Sequence, residues 1–254
     1  MAMALTENDG EVVEVPVFAL PALLERAGLG EPHLVLQPEV VWRHPDELGV
    51  FDDAVRDALT EAGVLRGRDE VDRNLMDLLP LLVAPAIEYY GWFTVDGEIR
   101  GALAAAGAMD AVIAVRAGDH VRLAAAARDR LAEALFAELP VVSPGAGEMV
   151  TVTAADLEQL HAPAGPNARD VPPHVTELLR AIKRPVLGGG ELFAASRDQV
   201  GRRMVRGPVR YADTEQGRFL NYSTGAGRTL ELVHAPATQE ALIAALDKAE
   251  NPGR

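Results

Sequence analysis

Apolar positions recur along the chain with two periods, and the points where the period changes divide it into elements. Val12, Val13, Val15 and Val17 are followed by Leu20, Leu23 and Leu24 at helical spacing, a short helix that stops at Gly28. His33 to Arg43 carries Leu34, Leu36, Val40, Val41 and Trp42 and predicts a strand, with Pro38 placing it at an edge or a bend. After His44-Pro45-Asp46 two helices are expected. In the first, Phe51, Val55, Ala58, Leu59, Ala62 and Leu65 form an apolar stripe opposite Asp52, Asp53, Arg56, Asp57 and Glu61, and Ala62-Gly63 stops it. Val71, Leu75, Leu78, Leu79 and Leu82 predict a second, kinked by Pro80 and closed by Pro85.

From Ala86 the period becomes two. Glu88 to Val95 and Glu98 to Ala106 flank Asp96-Gly97, a strong hairpin signal, because both turn residues tolerate positive φ. Two further strands, Val112 to Val115 and Val121 to Ala125, follow across Ala117-Gly118-Asp119, and a helix from Asp129 to Leu139 ends this half at Pro140. The order is then replayed in fewer residues. Val175, Leu178, Leu179 and Ile182 make a helix face, Gly188 to Gly190 break it, and Glu191 to Arg197 is a strand. Strands at Val209 to Thr214, Arg218 to Tyr222 and Thr229 to His234 precede a last helix burying Leu242, Ile243 and Leu246. The expected fold class is α+β: one domain over 1–254, with antiparallel meanders joined in a central sheet and an internal pseudo-duplication into halves 11–142 and 174–250. The proline-rich connection 143–173, with a short helix near Ala154 to Leu160, is the expected mobile region.

Composition narrows what such a fold can do. The 254 residues are 48% hydrophobic and 24% charged, ordinary for a packed core. A net charge of -14 disfavours nucleic acid and anionic lipid as partners. Without cysteine there is no disulfide framework, zinc-thiolate site or thiol nucleophile. No basic, apolar leader and no spanning helix is visible, so a cytoplasmic location is expected. The arginine and alanine bias fits a GC-rich bacterial genome.

A search for chemistry returns little. Ser143, Ser196 and Ser223 lie in no Gly-x-Ser-x-Gly elbow. His33, His44, His120, His161, His174 and His234 are scattered, with no His-Glu-x-x-His, so no local metal site is encoded. Gly28-Leu29-Gly30 and Gly188-Gly189-Gly190-Glu191 lack the strand-to-helix setting of a phosphate loop. The acidic runs around Asp46 to Glu61 and Asp69 to Asp72 are solvated helix faces and helix starts. No catalytic residue, cofactor or metal is expected on these grounds.

Two features point to a partner instead. Arg197, Arg202, Arg203, Arg206 and Arg210 crowd a stretch whose only acid is Asp198, next to Val200, Met204 and Val205, and this suits an acidic protein better than nucleic acid. A solvated loop is the competing reading of that stretch. Tyr89, Tyr90, Trp92 and Phe93 crowd one strand, and Tyr211, Phe219 and Tyr222 decorate its counterparts. If helices cover one side of the sheet, the other displays aromatics.

The run FDDAVRDALTEAGVLRGRDEVDRNLMDLLPLLVAPAIEYYGWFT, residues 51–94, resembles the first half of the EspG family of type VII (ESX) secretion chaperones. Glu191 to Arg197, VRYADTEQGRFLNYS and RTLELVHAPATQEALIAAL resemble the second half, whose D-x-x-x-G-R turn is here Asp213 to Arg218. The resemblance implies a quasi-two-fold fold with a central antiparallel sheet and two helical bundles. It implies a non-catalytic cytoplasmic protein that binds the helical tip of a PE-PPE heterodimer, keeps it soluble and directs it to its secretion system. Partner contacts would come from the sheet and the C-terminal bundle, here Leu178, Leu187, Phe193, Arg202, Arg203, Met204, Arg206, Tyr211, Phe219 and Tyr222. The chain is shorter than many members and its Asp96-Gly97 turn is tight, which leaves a WXG100-like or other helical substrate open. Unbound, a monomer or weak homodimer is expected. The alternative from another class is a small-molecule-binding protein or enzyme using dispersed His and carboxylate groups.

Overall fold

A computed structural model of the chain describes residues 12–39, 42, 44–66, 70–161 and 171–250. It is a mixed α+β protein with a large antiparallel sheet, the expected class. In chain order its elements are β1 (Val13–Pro16), α1 (Leu20–Arg26), α2 (Leu48–Glu61), β2 (Leu65–Arg66), β3 (Glu70–Val71), α3 (Arg73–Met76), β4 (Ile87–Val95), β5 (Glu98–Ala106), β6 (Ala111–Ala117), β7 (His120–Ala125), α4 (Leu131–Ala137), β8 (Val150–Thr153), α5 (Ala154–His161), α6 (Pro173–Ala181), β9 (Gly188–Arg197), β10 (Arg203–Thr214), β11 (Gly217–Thr224), β12 (Glu231–Pro236) and α7 (Gln239–Glu250). They pack as two compact units: Met1–Leu139 with Ala194–Val205, and Pro140–Phe193 with Arg206–Arg254.

In the first unit the strands lie in the order β1-β7-β6-β5-β4. The β4–β5 hairpin closes with Val95 opposite Glu98, and Asp96 and Gly97 both take positive φ, 52° and 84°, as the Asp-Gly signal requires. Ala102 to Ala106 are all buried, although successive side chains point to opposite faces, so both faces of β5 are covered. The aromatic strand behaves likewise: Tyr89, Tyr90 and Phe93 are buried and Trp92 is half-buried. An aromatic display on one open side of this sheet is therefore not what the chain builds.

Three other expectations change here. His33 to Pro38 forms a turn, with Leu36 N–H donating to the His33 carbonyl, and the remainder of the expected strand includes residues outside those described. Gly101 admits this segment, because a Cβ there would collide with the Val35 carbonyl. The second expected helix is broken into β3, α3 and a 3-10 turn at Leu79–Leu82, since Pro80 has no N–H to continue an α-helical ladder. α4 is shorter than expected, its first turn being the 3-10 stretch Arg128–Arg130.

In the second unit the order is β9-β10-β11-β12-β8. Gly188 to Gly190 are part of β9 and do not break the chain. A Cβ on Gly189 would lie 2.6 Å from the Tyr211 carbonyl, so the glycine permits close approach to β10. β10 starts at Arg203, which puts Arg203, Arg206 and Arg210 on a strand, not on a solvated loop. Within the 143–173 connection the expected short helix is present as α5, and β8 precedes it, pairing with β12 through His234 opposite Val150. Thr153 and Asp156 cap α5 reciprocally: Thr153 N–H donates to Asp156 Oδ2 at 2.9 Å, and Asp156 N–H to Thr153 Oγ1 at 3.3 Å. Residues 162–170, where mobility was expected, lie outside the described residues. Val150, Val152 and Val175 form a small core closed by Leu157, Leu160, Leu178 and Leu232.

α7 buries Leu242, Ala245 and Leu246, while Ile243 is half-buried. Leu246→Ala should lower unfolding free energy by about 2–5 kcal/mol, as lost transfer energy and a residual cavity combine. Urea denaturation with unchanged m-value checks this, and a loss below about 1 kcal/mol would place α7 outside the core.

Candidate partner-binding surface and its buried supports

The D-x-x-x-G-R turn is built around one enclosed guanidinium. Arg218 is 1% exposed. Its Nε donates to Asp213 Oδ1 at 2.6 Å and its Nη2 to Asp213 Oδ2 at 2.9 Å, a bidentate pair across the β10–β11 ladder, where the two residues stand opposite each other. Nη2 also donates to the Pro140 carbonyl at 2.9 Å, and the guanidinium carbon lies 4.3 Å from the centre of the Tyr211 ring. The backbone of the same residue holds a strap: Arg218 N–H donates to Ser143 O and Gly145 N–H to Arg218 O, both at 2.8 Å. Gly217, at φ 104°, makes room for it, since a Cβ there would lie 2.7 Å from Ser143 O. Burial pushes the Tyr211 hydroxyl up, so it stays protonated.

The first unit encloses a second polar cluster that the sequence did not announce. Glu88 of β4 is 2% exposed, and Arg203 Nε donates to its Oε1. Arg203 Nη2 lies 3.1 Å from His33 Nε2, which is itself 3.6 Å from Glu88 Oε2. Val35 N–H points at His33 Nδ1 across 3.4 Å. Burial, helped by Arg203 and Arg197, pulls the His33 imidazolium down to about 3, so His33 is neutral. Burial also pushes Glu88 up, against the pull of Arg203. The three residues are far apart in sequence and match no motif. Only the placing of Glu at an otherwise apolar strand position hinted at them.

The other histidines with described side chains are separate. His44 pairs with Asp46, His120 with Asp119, His174 with Asp156 at 3.3 Å, and His234 bonds Asn221 at 2.8 Å. Among the described residues no three potential ligand side chains gather for a metal.

The residues expected to meet a partner are distributed unequally. Tyr211 and Phe219 are buried, the latter between the Arg184 guanidinium and the His234 ring. Phe193 and Tyr222 are half-buried, and Leu178 packs on the β8 core. Arg203 is taken by Glu88 and stands over Tyr90, so the basic run is compensated at that position. Arg206 is half-buried, Arg202 is exposed and Met204 partly so. Arg197 is used within the first unit, donating to the Pro85 and Gly201 carbonyls.

Exposed apolar side chains mark what remains open. In the second unit, α6 and the segment after it present Leu179, Ile182, Val186 and Leu187, the last three more than 60% exposed. In the first unit the turn 198–202 presents Val200 on a scaffold whose N–H groups at Val200 and Arg202 both donate to Asp198 Oδ1. The pattern is one of enclosed charge and exposed apolar side chains.

These features define a fold shared with type VII secretion chaperones. The structure matches that of the chaperone EspG5 of the Mycobacterium tuberculosis type VII secretion system, solved in complex with a PE25-PPE41 dimer, with a TM-score of 0.65 over 96% of this chain and 98% of that one, at 15% identity. The model of the EspG family matches residues 16–248, and the chain belongs to that family. Comparison with curated proteins gives no match.

Arg218→Met should destabilise the protein by about 3–5 kcal/mol, because Asp213 is left enclosed without its cation. The double variant Arg218→Met, Asp213→Leu should recover a large part of that loss in the same denaturation experiment, whereas a single variant costing under about 1 kcal/mol would show that the pair is dispensable.

Proposed function

We propose that this protein is a non-catalytic chaperone of type VII secretion. It binds the helical tip of a PE-PPE-like heterodimer in the cytoplasm, keeps that apolar end soluble and directs the pair to its secretion system. Membership of the EspG family supports this, as does the whole-chain likeness to EspG5 in its complex with PE25-PPE41. The observation that carries it is the exposed row Leu179, Ile182, Val186 and Leu187, too apolar to be left to water without an occupant. Leu179 lies on α6 and Ile182, Val186 and Leu187 on the segment that follows it, an apolar strip suited to the ridge of a partner helix. Arg202 and Met204 offer contacts in the first unit and Arg206 in the second, and Leu178 supports α6 from within. Tyr211, Phe219, Phe193 and Tyr222 act behind these groups by holding the strands in place.

The two halves, 11–142 and 174–250 joined by 143–173, are two versions of one helix, meander and helix plan within a single domain. Unbound, the protein is a monomer or weak homodimer, and it binds neither nucleic acid nor the membrane interior. The described helices include none long and apolar enough to cross a membrane. The enzyme alternative gains nothing from the His33, Glu88 and Arg203 cluster, whose His and Glu are enclosed on every side.

Co-expression of the tagged chain with PE-PPE pairs encoded beside type VII systems should give a stable complex of defined mass. Ile182→Glu with Leu187→Glu should weaken capture at least about tenfold, as two apolar anchors are lost, with an unchanged melting temperature. Failure of the wild-type chain to capture any such pair overturns the chaperone reading, and undiminished capture by the variant overturns the assignment of the α6 row.

A further inference from the structure

The His33 cluster has a proton count that does not tolerate acid. A neutral imidazole carries one N–H and one lone pair. Here Nδ1 faces the Val35 N–H, and Nε2 faces both the Arg203 guanidinium and the Glu88 carboxylate. Both the Val35 N–H and the donor-only Arg203 guanidinium call on the ring's single lone pair, Arg203 at the shorter distance of 3.1 Å, while Glu88 Oε2 lies 3.6 Å from Nε2 and has no hydrogen-bond partner. A second proton would remove that lone pair, leave both donors without an acceptor on the ring and put a third cation beside Arg203 and Arg197. The charged and titratable groups facing the ring are Glu88 and Tyr90 from β4, Arg197 from β9 and Arg203 from β10, while the turn at Leu79–Leu82 contributes the Leu82 carbonyl to His33 N–H.

The same histidine fastens a cover. Its ring packs edge-on against Tyr90 at 4.6 Å, and two residues later the Val35 backbone seats on Gly101 of β5. Val35 and Leu36 are enclosed beneath. The stretch forms no helix or strand; apart from the ring it is held by the Leu36 to His33 turn, by His33 N–H on the Leu82 carbonyl, by Gln37 Nε2 donating to the Pro32 carbonyl and by Arg116 of β6 donating to the Gln37 carbonyl.

We propose that the segment 31–39 is an acid-released latch over β4 and β5, locked by neutral His33 against Glu88 and Arg203 and opened when the imidazole takes a second proton. The lifted segment frees His33 to hold that proton in water and uncovers Tyr90 and the glycine seat on β5, an apolar face hidden at neutral pH. The latch belongs to the first unit alone and does not depend on which partner the protein carries.

The sign follows from the two states. Closed, His33 is held near 3, and open it returns to the ordinary 6.5, so acid favours opening. Glu88 works the other way, because its carboxyl is raised while covered and falls on hydration, so a proton taken by Glu88 favours the closed state. The His33 contribution alone gives a rise of about 30-fold in the opening constant between pH 7.5 and pH 5, and Glu88 reduces it.

Native-state hydrogen exchange of the His33, Val35 and Leu36 amides, corrected for intrinsic rates, tests the latch on the full-length protein. In the wild type their opening constant should rise between 3- and 30-fold over that pH range, while the β6 amides stay protected. In His33→Asn, which keeps a polar side chain but cannot titrate, the rise should vanish. A wild-type change under 3-fold, or an equal rise in the variant, overturns the proposal. NMR of the wild-type imidazole decides independently of how well the variant folds: a closed-state ring that stays neutral over this pH range supports it, and free titration near 6.5 with the segment still protected overturns it.

Discussion

The buried contact between Arg218 and Asp213 is the constraint around which the second unit is arranged. A guanidinium removed from water needs its donors matched, or the desolvation cost exceeds the attraction. Here two donor directions go to one carboxylate and one is shared with the Pro140 carbonyl, while the ring of Tyr211 covers a face of the cation. The pair contributes less to net stability than to uniqueness. An apolar pair of the same volume could fill the space, but it would not fix the Pro140 to Gly145 strap, whose position follows from hydrogen bonds to both ends of Arg218. Gly217 and Gly145 are small for the same reason: any Cβ at either position would meet the strap or the ring of Phe219.

The first unit meets a similar demand differently. Glu88 is enclosed and paired with a half-buried Arg203, and their fit is incomplete. Glu88 Oε2 is left to a histidine at a long distance, and Arg203 is divided between a carboxylate, an imidazole and the Tyr90 ring. Incomplete satisfaction in a low-dielectric site makes the cluster responsive to protonation in a way that the Arg218 pair is not. The opposed displacements of the two groups, His33 down and Glu88 up, are the electrostatic signature of that site. One unit thus uses buried charge to fix a fold, the other to make a local arrangement conditional.

What was legible in the sequence followed from local rules. The Asp96-Gly97 hairpin, the stop at Gly63 and the meander of β10, β11 and β12 each depend on neighbouring residues, and each stands where periodicity and turn chemistry put it. The D-x-x-x-G-R turn was visible as a pattern, although its role as an anchor for a distant strap was not. Failures came where tertiary contact overrides local preference. Leu34, Leu36 and their neighbours have strand composition, but the seat on Gly101 and the bond to Leu82 bend them into a turn. The triple glycine at 188–190 looks like a breaker until the approach of the Tyr211 backbone is known. Tyr211 and Phe219 were picked out as surface aromatics, whereas alternation cannot distinguish a solvent face from one that a loop covers. The cluster of His33, Glu88 and Arg203 left no more trace than a Glu on an apolar strand, because a site assembled from three separate segments has no spacing to read.

Net charge connects the enclosed clusters with the exposed apolar row. A chain that leaves Ile182, Val186 and Leu187 in water invites copies of itself to stick together through those residues. With -14 charges on each copy, that encounter is opposed by repulsion over a Debye length of about 8 Å at physiological ionic strength, which weak apolar contact between two copies must overcome. A partner with its own complementary helical ridge gains more apolar burial per encounter than a second copy of the same surface, so the excess of acid acts as a filter on what may occupy the row. The arginines serve the same end. Arg218, Arg203 and Arg210 are each paired with an acid, Asp213, Glu88 and Glu191, so the pairs leave the net charge where it is while occupying three cations that could otherwise bridge one copy to the next. Pairing those arginines within the chain thereby keeps them from bridging the acidic surfaces of two copies beside the exposed apolar row.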